Sequence, residues 1–207
     1  SSGSTIGIIS DSTWIEPSSD IINLLYDSNY SMEVNYGWNL LSSDWLIRIY
    51  LSGGSPREVI FNNSKIMQAY IFGDGSGNSF RFCVDDNFPN SSSSNHEVSP
   101  WYAIDWVGWK LVSWDMSMDG TGSWIGDGNL DGNMRFDSFQ LKYNPGQSQF
   151  GKIYIDDFRI VDNVILSTNE TNFEQPFRLG RNFPNPFNSS TEISFSVQNK
   201  SFIQLSI

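Results

Sequence analysis

The chain has 207 residues, 39% of them hydrophobic and 15% aromatic, with 17 glycines and 8 tryptophans. Such a length can bury one substantial core, and a chain this rich in aromatics, Ser, Asn and Gly points to an all-β protein. Lys and Arg number 12 against 23 Asp and Glu, a formal net charge of -11 with no basic cluster, which argues against nucleic acid as a partner and suits a neutral glycan or a divalent cation.

Taken in chain order, the opening Ser1-Ser2-Gly3-Ser4 lacks Met and is expected to be the start of a mature or trimmed product. Residues 19–25 could form a helical turn. Residues 31–36 alternate, as do 44–51, where Trp45, Ile47, Ile49 and Leu51 share one face. Residues 66–72, the glycine-rich stretch 73–78 and residues 80–85 carry a hairpin signature. Cys83, the one cysteine, falls in the second of these runs. It excludes an intrachain disulfide and reads as a buried structural thiol.

Residues 87–100 form a polar loop holding the lone histidine, His96, which is expected to be solvated beside Glu97. Further strands are predicted at 109–114, 136–142 and 152–158. Many short strands at this spacing predict a β-sandwich or jelly roll. Trp45, Trp109 and Trp114 are expected in its core. Residues 167–178 are a polar linker between a domain at 1–166 and a segment at 179–207. No apolar run approaches the roughly 18 residues that membrane insertion requires.

In the last segment, Asn182-Phe183-Pro184-Asn185-Pro186-Phe187-Asn188 is followed by the alternating residues Ile193, Phe195 and Val197. Two prolines force an extended lead-in, Asn188 opens a turn, and a strand follows. This stretch resembles the opening of the C-terminal sorting domain of type IX secretion cargo, a small immunoglobulin-like sandwich. The resemblance implies export through that secretion machinery to the cell surface or medium. The family domain continues for several more strands, whereas two strand-like halves (191–197 and 201–207) follow here. A pair of strands is marginal alone, so a fragment, a processed remnant and a strand donor to a neighbour all remain open.

Three earlier patches, 72–82, 104–110 and 151–158, together resemble the jelly-roll carbohydrate-binding modules of secreted bacterial glycosidases. The resemblance implies the fold more than the ligand. Sugar binding needs flat aromatic faces with polar groups beside them. Trp101, Tyr102 and Trp106 at a strand entry, and Trp124 in a glycine-rich loop, are candidates. Tyr70 and Arg81 join them, on faces opposite Ala69, Phe80 and Phe82. For each tryptophan the competing reading is a core side chain.

The stretch Asp127-Gly128-Asn129-Leu130-Asp131-Gly132-Asn133 matches the first half of a calcium loop, but Ser138 stands where the closing glutamate would be. An EF-hand is excluded; a structural Ca2+ on Asp127, Asn129 and Asp131 and a metal-free Asx turn both remain. The carbohydrate-module resemblance implies a structural calcium near the last strand, which makes the Asp156-Asp157 pair, and with it Asp157, a second candidate, with a satisfied edge pair as the alternative. One histidine rules out multi-histidine metal clusters, and no carboxylate pair stands out for glycoside hydrolysis. The sequence therefore favours a secreted, non-catalytic glycan binder with a polysaccharide or cell-surface glycan as partner. Its rival is a structural subunit of an extracellular assembly, self-associating by β-strand addition.

Overall fold

The computed structural model describes residues 4–23, 29–50, 59–90, 92, 95–163 and, for the backbone alone, 177–179, 183–188, 190–192 and 195–197. The chain divides into two units, Ser1–Asn163 and Val164–Ile207.

The first unit is an all-β sandwich of two sheets. One sheet runs β1 (Trp14–Ser18), β2 (Ser31–Gly37), β10 (Phe150–Asp162), β4 (Lys65–Asp74), β8 (Val107–Asp115). The other runs β3 (Ile47–Tyr50), β9 (Arg135–Lys142), β5 (Ser79–Asp85), β6 (His96–Val98), with the short β7 (Tyr102–Ala103) beside β6 on the same edge of β5. All these pairings are antiparallel. The chain changes sheet at each connection from β2 to β5 and again from β7 to β10, as a jelly roll does.

Period-two patterning explains which side chains meet in the middle. In β4, Met67, Ala69 and Ile71 are buried while Gln68, Tyr70 and Phe72 face outward. In β5, Phe80, Phe82 and Val84 point into the core, where the register sets Phe82 opposite Phe139 and Phe80 opposite Leu141. Ile47 and Ile49 pack on the same core, and Trp45 meets Tyr143 edge-on at 5.2 Å. Between Cys83 and Val84 the register slips, so that Ser138 and Phe136 are the partners and Asp137 is the extra residue of a β-bulge.

Several expectations are corrected. Residues 66–85 are not a hairpin: β4 and β5 lie in different sheets, and the glycine-rich loop is a crossover. Gly75 and Gly77 have φ of +68° and +73°, and their N–H groups donate to the carbonyls of Trp106 and Ile104, both at 2.9 Å. Those bonds pin the crossover to the chain entering β8, where side-chain-free residues at positive φ fit best. Trp109 is not in the core. It lies on the outer face of the first sheet against Phe72, ring centroids 5.5 Å apart, because the β8 register turns Val112 and Trp114 inward instead. Residues 19–23 contain no helix, and residues 24 and 25 lie outside the described residues. Cys83 is fully buried, as expected, and lies on the outer face of the second sheet.

One packing detail yields a test. The buried Tyr36 hydroxyl donates to Asp74 Oδ2 at 2.5 Å, and burial together with that carboxylate pushes the phenol far up from its ordinary range. Gly151 lies directly over this pair, so a Cβ there would fall on the Tyr36 hydroxyl and the Asp74 carboxylate. Gly151→Ala should cost about 1–3 kcal/mol by forced overpacking, read from urea unfolding. An unchanged midpoint would refute the close approach.

In the second unit, β11 (Phe177–Leu179) pairs antiparallel with β14 (Phe195–Val197), and β12 (Phe183–Asn188) with β13 (Ser190–Glu192). Asn182 and residues 198–207 lie outside the described residues, as do all side chains of this unit. The sorting motif and the partial immunoglobulin-like segment thus remain expectations.

Candidate functional site

The outer face of the second sheet differs from an ordinary solvated sheet face. Its register lines up Arg48, Gln140 and Arg81 in one cross-strand row and Tyr50, Ser138 and Cys83 in the next. Such positions are normally open to water. Here Arg81 is 2% exposed and Gln140 0%. Two segments account for this: the chain after β6 brings Trp101 over the face, and the loop after β8 brings Trp124.

Arg81 is the centre of the arrangement. Its Nε donates to Gln140 Oε1 at 2.8 Å and its Nη1 to the Ser123 carbonyl at 3.1 Å. Its guanidinium lies 3.9 Å from the Trp101 ring centroid and 5.8 Å from that of Trp124. Lys142 Nζ is 4.8 Å from the same Trp101 ring. On the other side, Arg48 sits 5.4 Å from Trp124 and 5.5 Å from Tyr50. Cation–π contacts therefore link rings and cations in the sequence Tyr50, Arg48, Trp124, Arg81, Trp101, Lys142. Each contact holds a ring in place with ~0.5–2 kcal/mol of cation–π attraction, so the aromatic surface is rigid before anything binds.

Below this row runs a network of ions. Arg48 grips Asp137 through both carboxylate oxygens at 2.7 Å, and Arg135 Nε meets Asp85 Oδ2 at 2.9 Å. His96 Nε2 lies 3.2 Å from Asp85 and 3.9 Å from Asp137, and its ring meets Trp124 edge-on. Burial alone would raise the Asp137 carboxyl; hydrogen bonds from Arg48 and Ser138 and the charges of Arg48 and His96 bring it below the ordinary range. His96 is thus not the solvated neighbour of Glu97 expected from the sequence. β6 pairs with β5, which sets His96 opposite Asp85.

Asp85, His96 and Asp137 offer donor atoms within 4.8 Å of one another and could hold a metal ion. Arg48, however, already holds both oxygens of Asp137 and Arg135 holds Asp85 Oδ2, so an incoming cation would compete with Arg48 for Asp137. The loop expected to bind calcium is organised differently. Asp127 Oδ1 accepts the Asn129 N–H at 2.9 Å, an Asx turn, while Asp86 and Glu97 accept the N–H groups of Asp131 and Gly128. Burial raises both the Asp86 and the Glu97 carboxyl despite those bonds. Asp157 stands elsewhere, in β10 of the first sheet, paired with Arg159 at 2.8 Å. The first candidate (Asp127, Asn129 and Asp131) and the second (Asp157) thus lie in separate parts of the sandwich.

The proposed sugar-binding residues are likewise divided. Trp101, Trp124 and Arg81 come together on the second sheet. Tyr102 and Trp106 pack against the core, the first donating to the Ser113 carbonyl at 3.0 Å and the second to that of Ile71 at 3.3 Å. Both also line a depression of about 460 Å3 between β7 and β8, with Asp105, Lys110 and Trp101. Tyr70 lies on the outer face of the first sheet under Arg159. Sequence reasoning missed Tyr50, Arg48, Lys142 and Gln140. The alternation around residues 45–51 already turned Arg48 and Tyr50 away from the core, but nothing local marks β3 as the neighbour of β9.

No protein-family model and no curated protein sequence matches the chain. Among solved structures it is similar to a family 11 carbohydrate-binding module from Clostridium thermocellum, in complex with a β-1,3-1,4-mixed-linked tetrasaccharide, at 18% identity. That likeness covers 72% of this chain and 82% of the module, with a TM-score of 0.48. A family 30 carbohydrate-binding module is similar at 13% identity over 75% of this chain and 77% of that one, TM-score 0.46. With both scores below 0.5, nothing about ligand or mechanism is carried from either protein to this chain.

Proposed function

We propose that the chain is a secreted, non-catalytic glycan-binding sandwich whose binding face is the outer side of the second sheet. The observation that carries this reading is the row Tyr50, Trp124 and Trp101, three rings held by Arg48, Arg81 and Lys142. Pyranose rings stack on such surfaces through their C–H faces, and side chains between the rings take the hydroxyls. Export rests on the resemblance of residues 182–188 to the type IX sorting signature, which makes the cell surface or the medium the place of action.

Tyr50 offers the cleanest test, being 60% exposed. In affinity electrophoresis against a panel of soluble polysaccharides, at least one should retard the protein. Tyr50→Ala should weaken that binding by about 3- to 10-fold, the value of one aromatic contact, with an unchanged melting temperature. No retardation by any polysaccharide would overturn the reading.

A structural subunit of an extracellular assembly is the second reading. It is favoured by β1, which among the described residues pairs with β2 alone and leaves Trp14, Ile15 and nearby Tyr30 exposed, an edge of the kind that recruits another strand. A monomer at all concentrations in light scattering would remove it.

A further inference from the structure

The binding face is built from hydrogen-bond donors, and its charge opposes that of the chain. Arg48, Arg81, Arg135 and Lys142 stand on or beside it against two carboxylates, Asp85 and Asp137, in a protein of formal net charge -11. Arg48 and Arg135 are neutralised by those two carboxylates. Arg81 and Lys142 have no carboxylate partner among the described residues; both meet the ring of Trp101, and Arg81 also meets that of Trp124, an amide and a backbone carbonyl. Desolvation lowers the Arg81 guanidinium to about 10, and desolvation together with the Arg81 charge lowers the Lys142 ammonium. Both cations are held where they lack a compensating anion.

Two further donors point the same way. Gln140 Oε1 is taken by Arg81 Nε, which orients the amide and leaves Nε2 buried without an acceptor. Trp124 Nε1 is also buried without one. A neutral sugar hydroxyl both donates and accepts, so a site for neutral glycan presents a mixture of carboxylates, amides and donors. Here the half-buried Lys142 ammonium is the donor open at the face, and behind it lie the buried Arg81 guanidinium and two buried N–H groups without acceptors, a setting that favours a group that only accepts.

From this donor set and charge we infer that the ligand is an acidic polysaccharide, its rings carrying carboxylate or sulfate groups that meet Lys142 beside Trp101, within the field of the buried Arg81 guanidinium. This rests on the glycan-binding reading above and narrows it, against the neutral ligand that the whole-chain charge suggests. The acidic group pairs directly with Lys142 and compensates the buried Arg81 charge through the field, and the sugar ring stacks on the tryptophans. Charge-assisted bonds of this kind are shorter and roughly twice as strong as neutral ones.

Isothermal titration with three oligosaccharides of equal length tests the assignment: an oligogalacturonate, a sulfated galactan fragment and a neutral mixed-linkage glucan. At least one acidic ligand should bind about 10-fold or more tighter than the glucan, and lose affinity as salt rises from about 50 to 300 mM. The stronger of the two acidic ligands identifies the group as carboxylate or sulfate. Lys142→Gln should weaken acidic binding several-fold and reduce its salt dependence, with a clearly smaller loss for the glucan through the Trp101 contact and little change in melting temperature; Arg81→Lys, which keeps the charge but loses the Gln140 bond, should fall between. Glucan binding equal to or tighter than both acidic ligands overturns the acidic assignment and leaves the glycan reading standing. Binding of none of the three overturns both.

Discussion

Asp137→Ala should lower the stability of the first unit by about 3–5 kcal/mol, the cost of stranding a charge whose partner has been removed from a buried pair. Asp137 is 1% exposed and receives Arg48 at both oxygens, with Ser138 Oγ donating to it at 2.7 Å. Its position in the bulge of β9 turns the side chain to the outer face beside Arg48, so no neighbour can replace it. Denaturant unfolding with the slope checked for constancy would measure the loss. A change below about 1 kcal/mol, within the range of exposed ion pairs, would mean that water reaches the pair freely.

The same residue sets a pH dependence with a definite sign. Its folded carboxyl titrates below the unfolded value, so its stabilisation is fully present above the unfolded pKa and is lost as pH falls through the folded one. Wild-type stability should therefore decline below about pH 4 more steeply than that of Asp137→Asn, which keeps the shape and has nothing to protonate. Parallel curves for the two proteins between about pH 5 and 2 would contradict a depressed Asp137.

Trp114→Ala and Trp109→Ala should differ sharply although both side chains belong to β8. Trp114 is 0% exposed, packs in the core and donates from Nε1 to the Gly120 carbonyl at 2.9 Å. Its truncation should cost about 3–5 kcal/mol, from lost burial and the cavity left behind. Trp109 lies half-buried on the outer face of the first sheet against Phe72, and its truncation should cost about 1–2 kcal/mol, the scale of one surface aromatic contact with its partial burial. Melting curves of the two variants decide the matter. Equal losses, or the reverse order, would mean that β8 is shifted by one residue, because such a slip exchanges the two faces of a strand.

Local sequence carries much of the strand content. Alternation in residues 31–36, 66–72 and 109–114 corresponds to β2, β4 and β8, and the alternation that turned Ile47 and Ile49 inward also turned Arg48 and Tyr50 outward. These are properties of a single strand, since a period of two is imposed by the pleat and needs no partner. Strands with little pattern of their own were not legible: β6 and β7 have three and two residues and exist because β5 supplies their hydrogen-bond partners. Trp109 shows the remaining ambiguity, because alternation separates two faces without saying which one is buried.

What the sequence by itself determined is therefore the class of the protein, all-β with a wealth of aromatic side chains, and the identity of Trp101, Trp124 and Arg81 as candidates. That β4 and β5 part into different sheets, that β3 pairs with β9, and that His96 stands between Asp85 and Asp137 were decided by the tertiary structure alone. The contacts that link Tyr50, Arg48, Trp124, Arg81, Trp101 and Lys142 join residues up to 94 positions apart in the chain. Pairing between distant strands is selected by the burial of a shared core and the satisfaction of backbone hydrogen bonds across the whole sandwich, and neither quantity is written in any local stretch of residues.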